Sequence, residues 1–187
     1  MHHAGPDTGV YAEDLQVGTT RQLGEHEVTT AAIIDFASQW DPQFFHTEPE
    51  RAEREGALGG LIASGIHTIA IYQRLEINCR TQHWHVVGGT GMENVRLRRP
   101  VRPGDVLSGR TTISGKRLEP ERGRGLVSFA GELANQRGEV VMIPALSAYL
   151  LMRPRSPEES MTRRHCVGGP DRNAIGTAVV DHQGDLT

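Results

Sequence analysis

Apolar residues recur at helical spacing in the first half of the chain and at strand spacing in the second, with the change near Met92. Ile33, Phe36, Ala37 and Trp40 share one face of a predicted helix that Thr29 or Thr30 would cap through its hydroxyl. That helix should stop at Asp41, because the residue before Pro42 is pushed out of the helical region. A second start follows at Thr47-Glu48-Pro49-Glu50, which has capping-box spacing, and Gly56 is placed to end the short charged helix. Residues 41–46 would then form a turn held between two helix ends. Upstream, residues 20–28 read as a strand that Gly24 weakens.

The segment 62–77 carries apolar residues on nearly every side, as a helix buried inside a domain does. Residues 94–98, 106–118, 126–135 and 140–152 read as strands separated by short turns, which predicts an antiparallel meander. One face of such a sheet must be covered, and segment 62–77 is the element apolar enough to do it. The expected architecture is α+β, a single domain over residues 11–153 in which an antiparallel sheet wraps around a long central helix. Residues 1–10 read as a flexible N-terminus, and residues 154–187 as a polar, flexible tail.

Composition narrows the function classes. A chain of 187 residues suffices for one substantial core. Its net charge of -3, with 20 basic and 23 acidic residues, argues against nucleic acid as a partner. The two cysteines, Cys79 and Cys166, read as free thiols of a reducing compartment rather than as a disulfide framework. No basic start with an apolar run and no apolar stretch of bilayer length is present, so a soluble cytoplasmic protein with no membrane partner is expected.

The candidate chemistry lies in Asp41-Pro42-Gln43-Phe44-Phe45-His46. An imidazole moves protons near neutral pH, and a carboxylate held beside it can orient it or take a proton itself. A short distance on, Gly59-Gly60-Leu61-Ile62-Ala63-Ser64-Gly65 leads into the buried helix. Its first N–H groups either face a ligand or simply allow Gly65 to pack closely on a strand. Trp40, Phe44 and Phe45 are candidates for the wall of an acyl pocket or for ordinary core. Other features fail on spacing. Gly115-Lys116 lacks the glycine of a phosphate loop, Ser64 lacks the preceding glycine of a nucleophile elbow, and His83-Trp84-His85 has no further ligand nearby to complete a metal site. His67 reads as a satisfied core or pocket histidine.

Asp41 and His46 stand at the Asp and His positions of D-x-N-P-[LIV]-H, and with the glycine-rich segment and Arg99-Pro100-Val101-Arg102-Pro103-Gly104-Asp105 the chain resembles the MaoC-like dehydratases. These include the (R)-specific enoyl-CoA hydratases of the hotdog fold, and the resemblance covers residues 11–153. Gln43 replaces the motif's Asn, Phe44 its Pro, and Ser64 stands where many members carry His. The resemblance implies a hotdog domain, catalytic Asp41 and His46, and a Gly65 N–H that helps bind the thioester oxygen. Ser64, Gln43 and Phe45 are the further candidates for substrate contact. The implied reaction is addition of water to, or its removal from, the double bond of an enoyl thioester carried on coenzyme A or acyl carrier protein. No metal or redox cofactor is expected, and a homodimer is. A hotdog acyl-CoA thioesterase and a non-catalytic acyl-binding subunit remain alternatives, and the division of acid and base roles between Asp41 and His46 stays open.

Overall fold

The structure, a computed structural model, describes residues 8–154. Most of the two expected flexible ends, and Cys166, lie outside the described residues. Val10 is already tied in: its N–H donates to the His83 carbonyl at 2.8 Å, and its own carbonyl accepts from His85 N–H at 3.0 Å.

Where one strand was expected there are two, β1 (Thr20–Gln22) and β2 (His26–Val28). Both pair antiparallel with β4 (Asp105–Glu119), Gln22 opposite Arg110 and His26 opposite Leu107. That spacing leaves one extra residue on the first strand, a bulge at Leu23-Gly24-Glu25 that bends the chain while Leu23 stays buried.

Helix α1 (Thr30–Trp40) is capped by Thr29, whose Oγ1 accepts from Ala32 N–H at 3.1 Å. Its inner face buries Ile33 and Ala37. Trp40, expected on that face, is 68% exposed, because it sits in the last turn beyond the sheet. The predicted turn is in part a helix, α2 (Phe44–Thr47). Helix α3 (Pro49–Glu55) follows without the expected capping box. Thr47 closes α2 instead, donating to the Gln43 carbonyl at 3.1 Å, and Glu48 precedes α3 without a side-chain bond to the helix N–H groups. Pro49 takes the first helical position, where its missing N–H costs nothing.

Helix α4 (Gly65–Asn78) is the central helix. Beyond it lie β3 (Val86–Leu97), β4, β5 (Arg124–Ala134) and β6 (Val140–Leu151), all antiparallel, in the order β1-β4-β5-β6-β3 with β2 also on β4. Only β4, β5 and β6 form the expected meander. β3 joins the far edge on β6, so the 98–104 connection crosses the sheet instead of making a hairpin. β3 also begins earlier than its sequence suggests, at Val86. Gly88, Gly89 and Gly91 hide its alternation, and three register shifts break its pairing with β6.

Ile71, Tyr72 and Leu75 of α4 pack on Leu107, Leu133, Val141 and Met142 of the sheet and on Ile33 of α1. A second cluster, with Trp84, Ile113, Val127 and Phe129, fills the other end. Between them a buried Glu76 pairs with Arg80 and lies 3.9 Å from Arg21, and both guanidinium groups stack on Trp84 at 4.3 and 4.5 Å. The helix is not buried all round, contrary to expectation. Ile66 and Ile77 are about half exposed, because the sheet covers only one side of α4 in a single chain.

Tyr72 can lie flat on the sheet because β5 has Gly131 beneath it. A Cβ at residue 131 would come within 2.2 Å of the Tyr72 hydroxyl and 2.8 Å of Pro144. Gly131→Ala is therefore expected to destabilise the domain by about 1–3 kcal/mol, the usual cost of overpacking, read as a lower denaturation midpoint in urea.

Candidate active site

The end of α1, the start of α2 and the start of α4 converge. Asp41 is the residue that ends α1, its N–H still bonded to the Ala37 carbonyl at 2.8 Å. Two positions on, Gln43 precedes α2, and α2 turns His46 inward until only 4% of it is exposed. The His46 ring is fixed from behind, with Nδ1 2.7 Å from the Ile62 carbonyl oxygen. A carbonyl oxygen only accepts, so Nδ1 carries a proton, and when the ring is neutral its lone pair is at Nε2. That nitrogen lies 3.5 Å from Asp41 Oδ2.

Asp41 is clamped at both oxygens. The Ser64 hydroxyl donates to Oδ2 at 2.6 Å, and the Gln43 amide donates to Oδ1 at 2.9 Å. These bonds hold the Asp41 carboxyl below its ordinary range, with Ser64 the larger cause, Gln43 next, burial opposing and His46 adding least. Asp41 is thus an anion at neutral pH. Its Oδ2 and His46 Nε2, 3.5 Å apart, are both within reach of one water molecule.

Ser64 has a second bond: its Oγ accepts from Ile66 N–H at 3.3 Å, capping α4. The next residue, Gly65, has an N–H with no hydrogen-bond partner among the described residues. Gly65 and His46 line one cavity of about 320 Å³, with Thr68, Leu97, Pro100 and Val101 among its walls. A Cβ at residue 65 would meet Leu97 Cδ1 at 2.6 Å, so the glycine admits both the cavity and the closing strand. A larger cavity, about 470 Å³ and mostly apolar, lies between the C-terminal half of α4 and strands β3 and β6, away from the pair.

The structure therefore brings Asp41, His46, Ser64, Gln43 and Gly65 together. Ser64 and Gln43, candidates for substrate contact, direct their donors at Asp41. Phe45 faces a separate small recess with Leu58 and Ile62, and its ring stands edge-on against His46 at 4.4 Å. Within the Arg99–Asp105 motif, Pro100 and Val101 form cavity wall, while buried Asp105 accepts from Arg102 N–H at 2.9 Å and shapes the turn. His83 and His85 lie 4.9 Å apart, but no group of three or more metal-ligating side chains occurs among the described residues. His67 is buried and stacks on Phe36 at 4.5 Å, and burial lowers its pKa. No described helix is long and apolar enough to cross a membrane.

Residues 14–128 match the model of the MaoC like domain. The chain belongs to this family. Among solved structures, a MaoC-like dehydratase from Rhodospirillum rubrum is 38% identical, with a TM-score of 0.69 over 79% of this chain and 100% of that one. An R-hydratase from Pseudomonas aeruginosa shares the fold at 18% identity, with a TM-score of 0.63 over 90% of this chain and 97% of its own. The uncharacterized protein YdeM of Bacillus subtilis is 29% identical over 139 residues, 74% of this chain and 96% of that protein. The fold is the hotdog fold, an antiparallel sheet wrapped on α4, and in this MaoC-like domain the Asp-His loop packs against the start of that helix.

What the motif spacing did not reveal is the Ser64 bond to Asp41, which joins positions far apart in sequence. An Asp41 pKa depressed in the folded state contributes stability above its unfolded value, and that contribution is lost as pH falls through the folded value. Ser64→Ala removes the largest cause of the depression. The stability that Asp41 loses between neutral and acid pH should then be smaller than in the parent and its loss complete at a higher pH, measured by denaturant midpoints across the acid range.

Proposed function

We propose that this MaoC-like domain is a hydro-lyase that adds water to, or removes it from, the 2,3 double bond of an enoyl thioester. The observation that carries this reading is the approach of Asp41 Oδ2 to within 3.5 Å of His46 Nε2, with His46 and the unpaired Gly65 N–H on one cavity. The 38% identity to the Rhodospirillum rubrum protein, a MaoC-like dehydratase over its full length, supports it.

In the hydration direction, a water molecule donates one hydrogen to the Asp41 carboxylate and the other to His46 Nε2. His46 takes its proton as the water oxygen bonds to the β-carbon. The π electrons shift toward the thioester oxygen, and the Gly65 N–H meets the charge that builds there. A donor so placed is worth about 3 kcal/mol by analogy with other oxyanion sites. The imidazolium, steadied by Asp41, then returns the same proton to the α-carbon, so one water adds in full. Dehydration is the reverse. The low pKa of Asp41 fits the orienting role, and the single lone pair of His46 the transferring one. No metal or redox group enters any of these steps.

We infer further that the working unit is a homodimer. β3 has a free edge, and Val86, Val87, Met92 and Leu97 on it, with Ile66 and Ile77 of α4, are exposed apolar side chains. An open edge beside an apolar surface is what pairing with a second copy would cover. Light scattering should give twice the chain mass, and Val87→Lys with Met92→Lys should shift it toward the monomer.

Asp41→Asn and His46→Gln should each slow hydration of crotonyl-CoA by about a hundredfold or more while leaving the circular dichroism spectrum intact. Parent-like rates in both would sink the hydratase reading. Release of free thiol in place of hydration would assign the site to thioester hydrolysis.

A further inference from the structure

A second chamber follows the first along the seam between α4 and β3. The His46 cavity takes Gly65, Thr68 and Leu97 from those two elements, and the larger cavity of about 470 Å³ takes Gln73, Glu76, Val86 and Met92. Gly89 and Gly91 of β3 also line the larger one. Neither has a positive φ. A Cβ at residue 91 would meet no atom within 4 Å, and one at residue 89 only the Ser147 carbonyl oxygen at 4.0 Å. Backbone strain and close packing therefore call for glycine at neither position, and what the missing side chains leave is room. The second copy proposed above would roof this room, since Val86 and Met92 belong to the edge it covers.

Phe129, Leu146 and Ala148 make the chamber apolar, but the α4 side is not. Gln73 and Glu76 stand one turn apart on the helix and both line it. The Gln73 amide makes no hydrogen bond among the described residues. Glu76 is 3% exposed, and while its Oε2 accepts from Arg80, its Oε1 accepts no hydrogen bond. Arg80 is occupied by that bond and by the face of Trp84. The side chains with capacity left are thus an amide, which donates and accepts, and a carboxylate, which accepts.

We infer that the larger cavity receives the far end of the acyl group, and that Gln73 and Glu76 select an end bearing a hydroxyl. This rests on the thioester reading above and names the class of acyl group which that reading left open, a medium-length chain hydroxylated at its distal end. Gly65 and Gln73 are eight residues apart on α4, about 12 Å along its axis. An extended alkyl chain advances about 1.25 Å per carbon, from bonds of about 1.5 Å, so about ten carbons span that distance. A hydroxyl arriving there donates to Glu76 and accepts from Gln73. A plain alkyl end would strip both of water and return no hydrogen bond, a loss of about tenfold or more in affinity. A carboxylate end would only accept, and would bring a second negative charge up to Glu76.

Saturated thioesters test binding apart from turnover, because they have no double bond to hydrate. Decanoyl-CoA, 10-hydroxydecanoyl-CoA and 9-carboxynonanoyl-CoA are titrated by calorimetry into the full chain, Gln73→Leu and Gly91→Val. Equal thermal midpoints and equal mass by light scattering control for folding and assembly, and the comparison within the parent needs no variant. The parent should bind the hydroxy compound about tenfold more tightly than either of the others. Gln73→Leu should bring the plain and hydroxylated chains within about twofold of each other. Gly91→Val puts two methyl groups into the chamber and should weaken both. In turnover, kcat/KM of the parent should favour 10-hydroxy-2-decenoyl-CoA over 2-decenoyl-CoA by about the same tenfold factor.

Equal affinities for the plain and hydroxylated chains in the parent overturn the inference, as does tighter binding of the plain one. Tighter binding of the carboxylated chain overturns it in favour of an anionic end. A hydroxyl preference that survives in Gln73→Leu, or affinities that Gly91→Val leaves unchanged, overturn it by placing the acyl end elsewhere. Hydroxyl-selective binding without hydration of either enoyl thioester would sink the hydratase reading alone, and hydration without that selectivity would sink the hydroxyl alone.

Discussion

The hydroxyl of Ser64 is the joint on which the site depends. One oxygen donates to Asp41 at 2.6 Å and accepts from Ile66 N–H at 3.3 Å, so the end of α1 is tied to the start of α4 through a single fully buried side chain. The carboxylate is thereby oriented by the same group that caps the central helix. His46 is located independently, through the Ile62 carbonyl one turn before the helix begins. Both members of the pair thus refer to the backbone of residues 62–66, and a shift of α4 along its axis would carry them together. Such support turns two polar side chains in a loop into a rigid constellation.

Much of the fold was legible in the sequence because its cues are local. The period of the apolar residues marks α1 and α4, Thr29 caps where a threonine should, and Pro42 ends the helix before it. β5 alternates along its whole length and β4 along its first half, since one face packs inward and the other does not. The errors have one cause, which is that partner choice is not local. β3 carries too many glycines to alternate, and nothing in its own residues says that it pairs with β6 rather than β4. Thr47 has the spacing of a cap, but it is already the last residue of α2 and its hydroxyl turns backward. Trp40 has the right phase for the core yet stays exposed in the last turn of α1.

The site divides in the same way. Asp41 and His46 come together as their spacing suggests, because both sit on one short loop. Ser64 and Gln43 are candidates for substrate contact by position, and the structure adds that their donors turn to Asp41. A hydroxyl facing a carboxylate 2.6 Å away is a contact between distant segments, and sequence position carries no trace of it. Gly65 was given two readings, a ligand-facing N–H and close packing on a strand. The structure allows both, since the N–H is unpartnered among the described residues and Leu97 of β3 closes on the Cα.

That Leu97 contact separates two kinds of change the protein can accumulate. The residues we propose to handle the proton lie between the end of α1 and the start of α4, and they constrain one another bond by bond. The wall opposite them comes from the end of β3 and its connection, an edge strand with three register shifts. Substitutions or slips in that strand resize the chamber without disturbing the pair behind it. On the proposed reading, a lineage could therefore trade one acyl group for another by drift along the edge while the pair stays fixed, which makes the least regular strand of the sheet the one most open to new specificity.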